Sequence, residues 1–338
     1  MKIIILGFGH ICKTHYLKWC AYNPSIDKIY IYDSFINKRN IENYLSTYKL
    51  YDDLLSKFVI LESSINIKNI FYSNTFEKVF ILTNNTSHFH LAMLALENNS
   101  DVLVEKPVTL TSKGLKLLEK KAKLKNQILF PAYHQLHRSE TYLFIDSIKE
   151  FLILNNNYEV NIFAGNNKGF PIHSMKNGFS KIENAGGGVL LDLGSHYISL
   201  LFFFLYESGL KELEFLDINT NFHPRDNIFF ENVEDSFIAS FRNKNLNVNI
   251  DFSYKKELPN TLIFKNEKNH LIWPGENLIF SNLAFKNMIS SFIDSKGKDF
   301  QAKLLKSNYY KSIEKSIDLI ERLYKTAGHN LKEKFFNS

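Results

Sequence analysis

The first third of the chain alternates short apolar runs with longer segments in which apolar residues recur every three or four positions. Ile3–Leu6 is apolar throughout and ends in a glycine turn, the pattern of a buried central strand in a parallel sheet. His15–Tyr22 reads as a helix that stops before Pro24. Ile29–Tyr32, closed by Asp33, and Val79–Leu82, closed by Thr83-Asn84-Asn85, read as further strands. Ser87–Glu97 sets Leu91, Leu94 and Ala95 at helical spacing, Val102–Val104 is again a strand, and Lys113–Lys125 is a helix with Leu115, Leu117 and Leu118 against a lysine face. Strands alternating with helices predict an α/β fold with a doubly wound parallel sheet.

Beyond Pro131 the rhythm changes. A helix over Tyr142–Leu154 leads into a strand, Glu159–Phe163, and a polar stretch from Gly165 to Asn184. From Phe237 short strands succeed one another. Leu246, Val248, Ile250, Phe252 and Tyr254 alternate with Asn247, Asn249, Asp251 and Ser253, so one face of a sheet is packed and the other is wet. Pro259, Pro274 and Gly275 punctuate the chain beyond that row. A last helix aligns Ile313, Ile317, Ile320 and Leu323 and stops near Gly328. The expected division is residues 1–131 and 132–338.

Composition narrows the class. The 338 residues suit two domains at roughly 150 residues each. The 41 basic and 35 acidic side chains leave a net charge of +6, too small and too dispersed to announce a nucleic-acid binder. Two cysteines, Cys12 and Cys20, make no disulfide scaffold and fit a reducing, cytoplasmic setting. The longest apolar run, Ile198–Tyr206, is half the ~18 residues of a membrane span. The apolar start at Met1 is broken by Gly7, Gly9, His10 and Lys13, so it reads as a strand rather than a leader.

Four segments and one lone acid, Asp33, could carry chemistry. Gly7-Phe8-Gly9-His10-Ile11-Cys12 comes after the first strand and opens the first helix, where glycines let a pyrophosphate approach the helix N-terminus. Cys12 stands where a third glycine or alanine is usual. Asp33, ending the second strand, can accept both ribose hydroxyls of an adenosine and would repel a 2′-phosphate, which favours NAD over NADP; Lys38 and Arg39 nearby leave room for a phosphate. Thr83-Asn84-Asn85-Thr86-Ser87-His88 lies at a strand's carboxyl end and serves equally as a capping turn with Ser87 as cap. Lys106, in Glu105-Lys106-Pro107, could hydrogen-bond a substrate hydroxyl; a lysine is otherwise a solvated surface group. In Gly186-Gly187-Gly188-Val189-Leu190-Leu191-Asp192-Leu193-Gly194-Ser195-His196 the glycines permit close approach of a ligand or of another backbone. A helix there would put Asp192 and His196 on one side, as an acid orienting a proton-transferring imidazole or as a structural pair. The pairs His134/His137, His88/His90 and His10/His15 lack a third ligand at metal spacing, so no metal is expected.

In this order and spacing the segments resemble the glucose–fructose oxidoreductase/inositol dehydrogenase (Gfo/Idh/MocA) family. Val233-Glu234-Asp235 and Phe292-Ile293-Asp294 extend the resemblance over nearly the whole chain. It implies an N-terminal Rossmann domain and a C-terminal α+β domain with an open, largely antiparallel sheet, often used for contacts in a homodimer or homotetramer. It further implies an NAD(P)-dependent oxidoreductase acting on a secondary hydroxyl or ketone of a sugar or nucleotide-sugar, with surface polysaccharide as a setting. Lys106 corresponds to the catalytic lysine, Asp192 to the substrate-orienting acid and His196 to the proton-transferring histidine. Gly7, Phe8, Gly9, His10, Ile11, Asp33, Thr83, Asn84, Asn85, His88, Glu105 and Lys106 would meet the cofactor, Asn85 and Glu105 at its nicotinamide end. Neither nucleic acid nor membrane is an expected partner. The sequence departs from the family at Cys12, at Asn84, where proline is common, and in having only Arg138 near the place of an expected arginine. Two other readings share the fold: a cofactor-binding regulator without catalysis, and an enzyme that recycles tightly held NAD in oxidation-elimination.

Overall fold

The computed structural model describes residues 1–47, 49–153, 157–166, 181–210, 214–215, 217–224, 233–274 and 283–333. Most of the polar stretch 165–184, and the glycine after Pro274, lie outside them.

The first sheet contains β1 (Lys2–Leu6), β2 (Lys28–Tyr32), β3 (Phe58–Ile60), β4 (Lys78–Ile81), β5 (Asp101–Glu105) and β6 (Leu129–Ala132). All are parallel, in the order β3-β2-β1-β4-β5-β6. This is the predicted doubly wound Rossmann sheet. Its strand order reverses between β1 and β4, so the carboxyl ends there open a crevice. The apolar runs fill the centre: Ile3, Ile4, Ile5, Val79 and Phe80 are fully buried. β3 and β6 escaped the pattern because β3 is three half-buried residues and β6 holds Pro131, tolerated on an edge strand. The helices Asn85–Glu97 and Ser112–Lys125 agree with the periodicity. Ser87 is not the cap, however; that position is Asn84, and the Ser87 hydroxyl donates back to the Asn84 carbonyl from inside the first turn.

The second sheet contains β7 (Tyr158–Gly165), β8 (Asp217–Pro224), β9 (Glu234–Arg242), β10 (Leu246–Ser253), β11 (Leu258–Lys265) and β12 (His270–Trp273), in the order β12-β11-β7-β10-β9-β8. Only the β7–β10 pair is parallel. On β10 Leu246, Val248, Ile250 and Phe252 point inward and Asn247 and Asn249 outward, as the period of two requires. Ser253 departs from the polar row and is fully buried, where Gly165 passes so close that a Cβ would collide with the Ser253 carbonyl oxygen.

Two helical segments tie the sheets together. Ile182–Glu207 is long and apolar enough to cross a membrane, yet 83% of its apolar window is buried inside the fold. There Tyr197 and Phe204 pack against Trp273 at the end of β12. The chain from Leu283 then returns to the first sheet. Phe292 meets Phe80 and Phe130 edge-on or tilted at 5.2 and 5.6 Å, Gln301 accepts the Leu129 N–H, and the Tyr309 hydroxyl donates to the Pro131 carbonyl. C-terminal residues thus complete the core of the N-terminal sheet.

Candidate active site

The glycine turn leaves β1 with Gly7 at φ +98°, where a Cβ would come 2.5 Å from the Leu82 carbonyl oxygen. At Gly9 a Cβ would meet nothing within 4 Å, so this glycine borders open space at the start of the first helix. The first-turn N–H groups of a helix have no carbonyl behind them and suit an anion. Cys12 fits the third position by burial: it is inside the core at the head of a π-helical turn, Cys12–Tyr16, and burial raises its thiol pKa far above normal. The Phe8 side chain is also buried, edge-on to Tyr44, so only its backbone faces the turn. Asp33 accepts the Phe8 N–H at 2.7 Å on Oδ2, and the Phe35 and Ile36 N–H groups at 2.8 and 2.9 Å on Oδ1. One acceptor site of Oδ2 remains, which narrows the expectation of two ribose hydroxyls to one. These residues fit a dinucleotide: an open glycine, a helix start and a carboxylate on one crevice.

The ends of β4 and β5 are cross-braced. His88 is fully buried, its Nδ1 2.8 Å from the Pro107 carbonyl oxygen and its Nε2 3.1 Å from that of Thr83. Burial lowers its pKa, and a neutral ring donates to only one of these carbonyls; with both nitrogens turned to backbone it offers neither to a cofactor, a correction to the sequence reading. Asn84, Asn85 and Thr86 reach across to the segment before the second glycine run: the Asn85 amide donates to the Ala185 carbonyl, the Thr86 hydroxyl to that of Glu183, and the Asn84 amide to the Asn184 side chain. Thr83 Oγ lies 2.7 Å from Ser87 Oγ. Glu105 is buried, accepting the Tyr16 hydroxyl at 2.5 Å and the Lys106 N–H; burial raises its pKa against the pull of those two partners.

Lys106 points from the end of β5 to Asp192. Its ammonium donates to the Asp192 carboxylate and, at 3.1 Å, to the Asp192 carbonyl. The Tyr254 hydroxyl donates to the other carboxylate oxygen. Burial works against the ionised Asp192, but the Lys106 charge and the two hydrogen bonds outweigh it and hold the carboxyl below its usual range. Burial followed by the Asp192 charge raises the Tyr254 pKa. Tyr254 was read only as the last member of an inward row. The available signal was that it alone in that row carries a polar tip.

Asp192 does not orient His196. Residues Leu190–Gly194 form a π-helical turn before the helix Ser195–Glu207, and the Asp192 oxygens accept from Lys106 and Tyr254 while His196 Nδ1 is buried with no hydrogen-bond partner. The ring packs edge-on to His134, 4.8 Å between centroids; His134 stacks on one face of Phe285 and His15 on Phe285 as well. Burial first, then the Lys106 and Arg138 charges, hold the His196 pKa well below its usual value, so the ring is neutral rather than made more basic. Among the described residues no group of three His, Cys, Asp or Glu is placed to hold a metal.

Residues 1–133 match the model of a family described as oxidoreductases with an NAD-binding Rossmann fold, Gfo/Idh/MocA. No curated protein sequence matches the chain. Among solved structures the chain is similar to GenD2 from gentamicin A biosynthesis in complex with NAD, at 15% identity and a TM-score of 0.75, over 97% of this chain and 94% of that one. It is similar to KijD10, a 3-ketoreductase from Actinomadura kijaniata in complex with NADP and TDP-benzene, at 13% identity and a TM-score of 0.71, over 96% and 97%. A myo-inositol dehydrogenase from Corynebacterium glutamicum gives 14% identity and a TM-score of 0.64, over 97% of each chain. At these identities the likeness establishes the fold.

Proposed function

We propose, from the match of residues 1–133 to the Gfo/Idh/MocA model of NAD-binding oxidoreductases, that the chain moves a hydride between a nicotinamide and a secondary hydroxyl or ketone of a sugar or nucleotide-sugar. The observation that carries this reading is the Lys106–Asp192–Tyr254 cluster beside a neutral, buried His196. A bound nicotinamide supplies the hydride donor or acceptor.

The protein supplies charge and a proton path. Lys106 donates N–H bonds to the substrate oxygen and favours its alkoxide form. Asp192 and Tyr254 hold the lysine where it can do so. His196, held neutral, takes the hydroxyl proton on oxidation and returns it on reduction. Asp33 favours NAD over NADP, since its carboxylate would repel a 2′-phosphate bound beside it, while Lys38 is drawn toward Glu42 and Glu62 at 3.8 and 4.0 Å. The same reading divides the chain near residue 131 and uses the open outer face of the second sheet for a homodimer or homotetramer.

The test is a panel of nucleoside-diphosphate hexoses, free hexoses and inositols, each incubated with NAD⁺ or NADP⁺ and followed by nicotinamide absorbance. One member should reduce NAD⁺ with wild-type protein, and Lys106→Ala and His196→Ala should each slow that reaction by about 10²–10⁴. Wild-type turnover in either variant would overturn the roles. Turnover of substrate with no net change in absorbance would replace the dehydrogenase by internal recycling.

A further inference from the structure

Glu234 is a buried carboxylate that the proposed chemistry does not use. It heads β9 with 1% of its surface exposed. Oε2 accepts the Gly188 N–H at 2.8 Å; Oε1 accepts the Leu190 N–H at 3.0 Å and the Tyr324 hydroxyl at 2.5 Å. Three donors converge on one side chain, a demand that the four acceptor sites of a carboxylate meet and the single carbonyl of an amide does not. The fit leaves no slack, because a Cβ on Gly188 would collide with the Glu234 carbonyl oxygen and one on Gly187 would fall 2.5 Å from the Tyr324 hydroxyl.

Two chains of contact run from here to the site. The Gly188 carbonyl accepts the Asp192 N–H at 3.0 Å, so the backbone clamped by Glu234 carries Asp192 directly. The next residue, Asp235, accepts the Tyr254 N–H on its backbone carbonyl at 2.8 Å. Adjacent residues of β9 therefore hold the two groups that meet at the Asp192 carboxylate. We infer that Glu234 is a positioning residue: through the Gly188 and Leu190 amides it sets the Asp192 carboxylate between Lys106 and Tyr254. Burial raises its pKa to about 7, an energetic cost that a filler side chain would not carry.

The inference rests on the reading of Lys106 and Asp192 as working residues, and the test separates the two. Lys106 is labelled with trinitrobenzenesulfonate in the intact protein and followed by peptide mass spectrometry, with Lys113 and Lys116 as internal references. Asp192→Asn frees the amine from its ion partner and should speed Lys106 labelling about tenfold. Glu234→Gln should speed it several-fold toward that level with the reference lysines unchanged, and the donor left unpaired should lower the melting temperature. Tyr324→Phe, which removes one of the three donors to Glu234 and the second acceptor that the Gly188 N–H meets at 3.2 Å, should give a smaller rise in the same direction. If Asp192→Asn speeds labelling and Glu234→Gln does not, the positioning role is overturned while the ion pair stands. If Asp192→Asn has no effect, the ion pair itself is wrong, and the inference falls with it. Should Glu234→Gln fail to fold, Tyr324→Phe decides: faster labelling supports the role and an unchanged rate overturns it.

Discussion

Among the described residues two glycine segments each open into a π-helical turn, and they use glycine for opposite reasons. At Gly7–Gly9 the second glycine borders empty space, so its missing side chain leaves room for something outside the protein. At Gly186–Gly188 each missing side chain is filled by the protein itself: Leu110 against Gly186, the Tyr324 hydroxyl against Gly187 and the Glu234 backbone against Gly188. The first is shaped for a ligand. The second is shaped for the placement of one aspartate, whose carboxylate then meets a lysine from the other sheet.

That contrast can be broken by adding a methyl group. Gly188→Ala should have the largest effect, since the clash is with backbone that cannot move aside; a loss of more than about 3 kcal/mol in urea unfolding, or no folded protein, is expected. Unchanged stability would show that the run is loose. Asp192→Asn comes next: under the proposed role turnover should fall by about 10²–10⁴ in protein that still folds. Gly9→Ala should leave urea stability within about 0.5 kcal/mol, as expected at a site with no neighbour. Its NADH affinity, read by fluorescence titration, should nevertheless fall, and an unchanged affinity would remove the ligand from the first turn.

The smallest effect sharpens the contrast electrostatically. The His196 pKa is lowered by folding, so between that value and the ordinary 6.5 the unfolded chain binds more protons and stability is lost as pH falls. Each such imidazole can contribute up to about 1.4 kcal/mol per pH unit in that window. Glu234 and Glu333, raised to about 7, act in the opposite sense, gaining stability as pH falls through that value. The net slope hides both, so the measurement is the difference between variant and wild type. His196→Gln should gain on wild type as pH drops below 6.5, and a constant difference would mean that the ring titrates normally.

Much of the fold was legible along the chain. Ile3–Leu6 and Val102–Val104 are apolar because both faces of a central parallel strand are covered, and the row from Leu246 to Phe252 alternates because only one face of β10 is. β3 was too short to show a period, and the half-polar helix Lys38–Thr47 has only Ile41 and Leu45 buried. The site was legible as residue types at strand ends, but not as partners. His88 looked like a ligand-facing residue and is a buried staple, while Tyr254 looked like core and reaches Asp192.

By itself, then, the sequence determined the strands and helices that carry an apolar run or a clear period, and that glycines at 7 and 186–188 mark places of close approach. Periodicity and glycine placement are local signals, set by a residue's own backbone and the face it turns inward. Only the tertiary structure decided what approaches those glycines, that Asp192 pairs with Lys106 and Tyr254 instead of His196, and that the chain after Leu283 returns to cover the first sheet. Those outcomes join residues 86, 62 and some 200 positions apart, where spacing along the chain carries no record of distance in space.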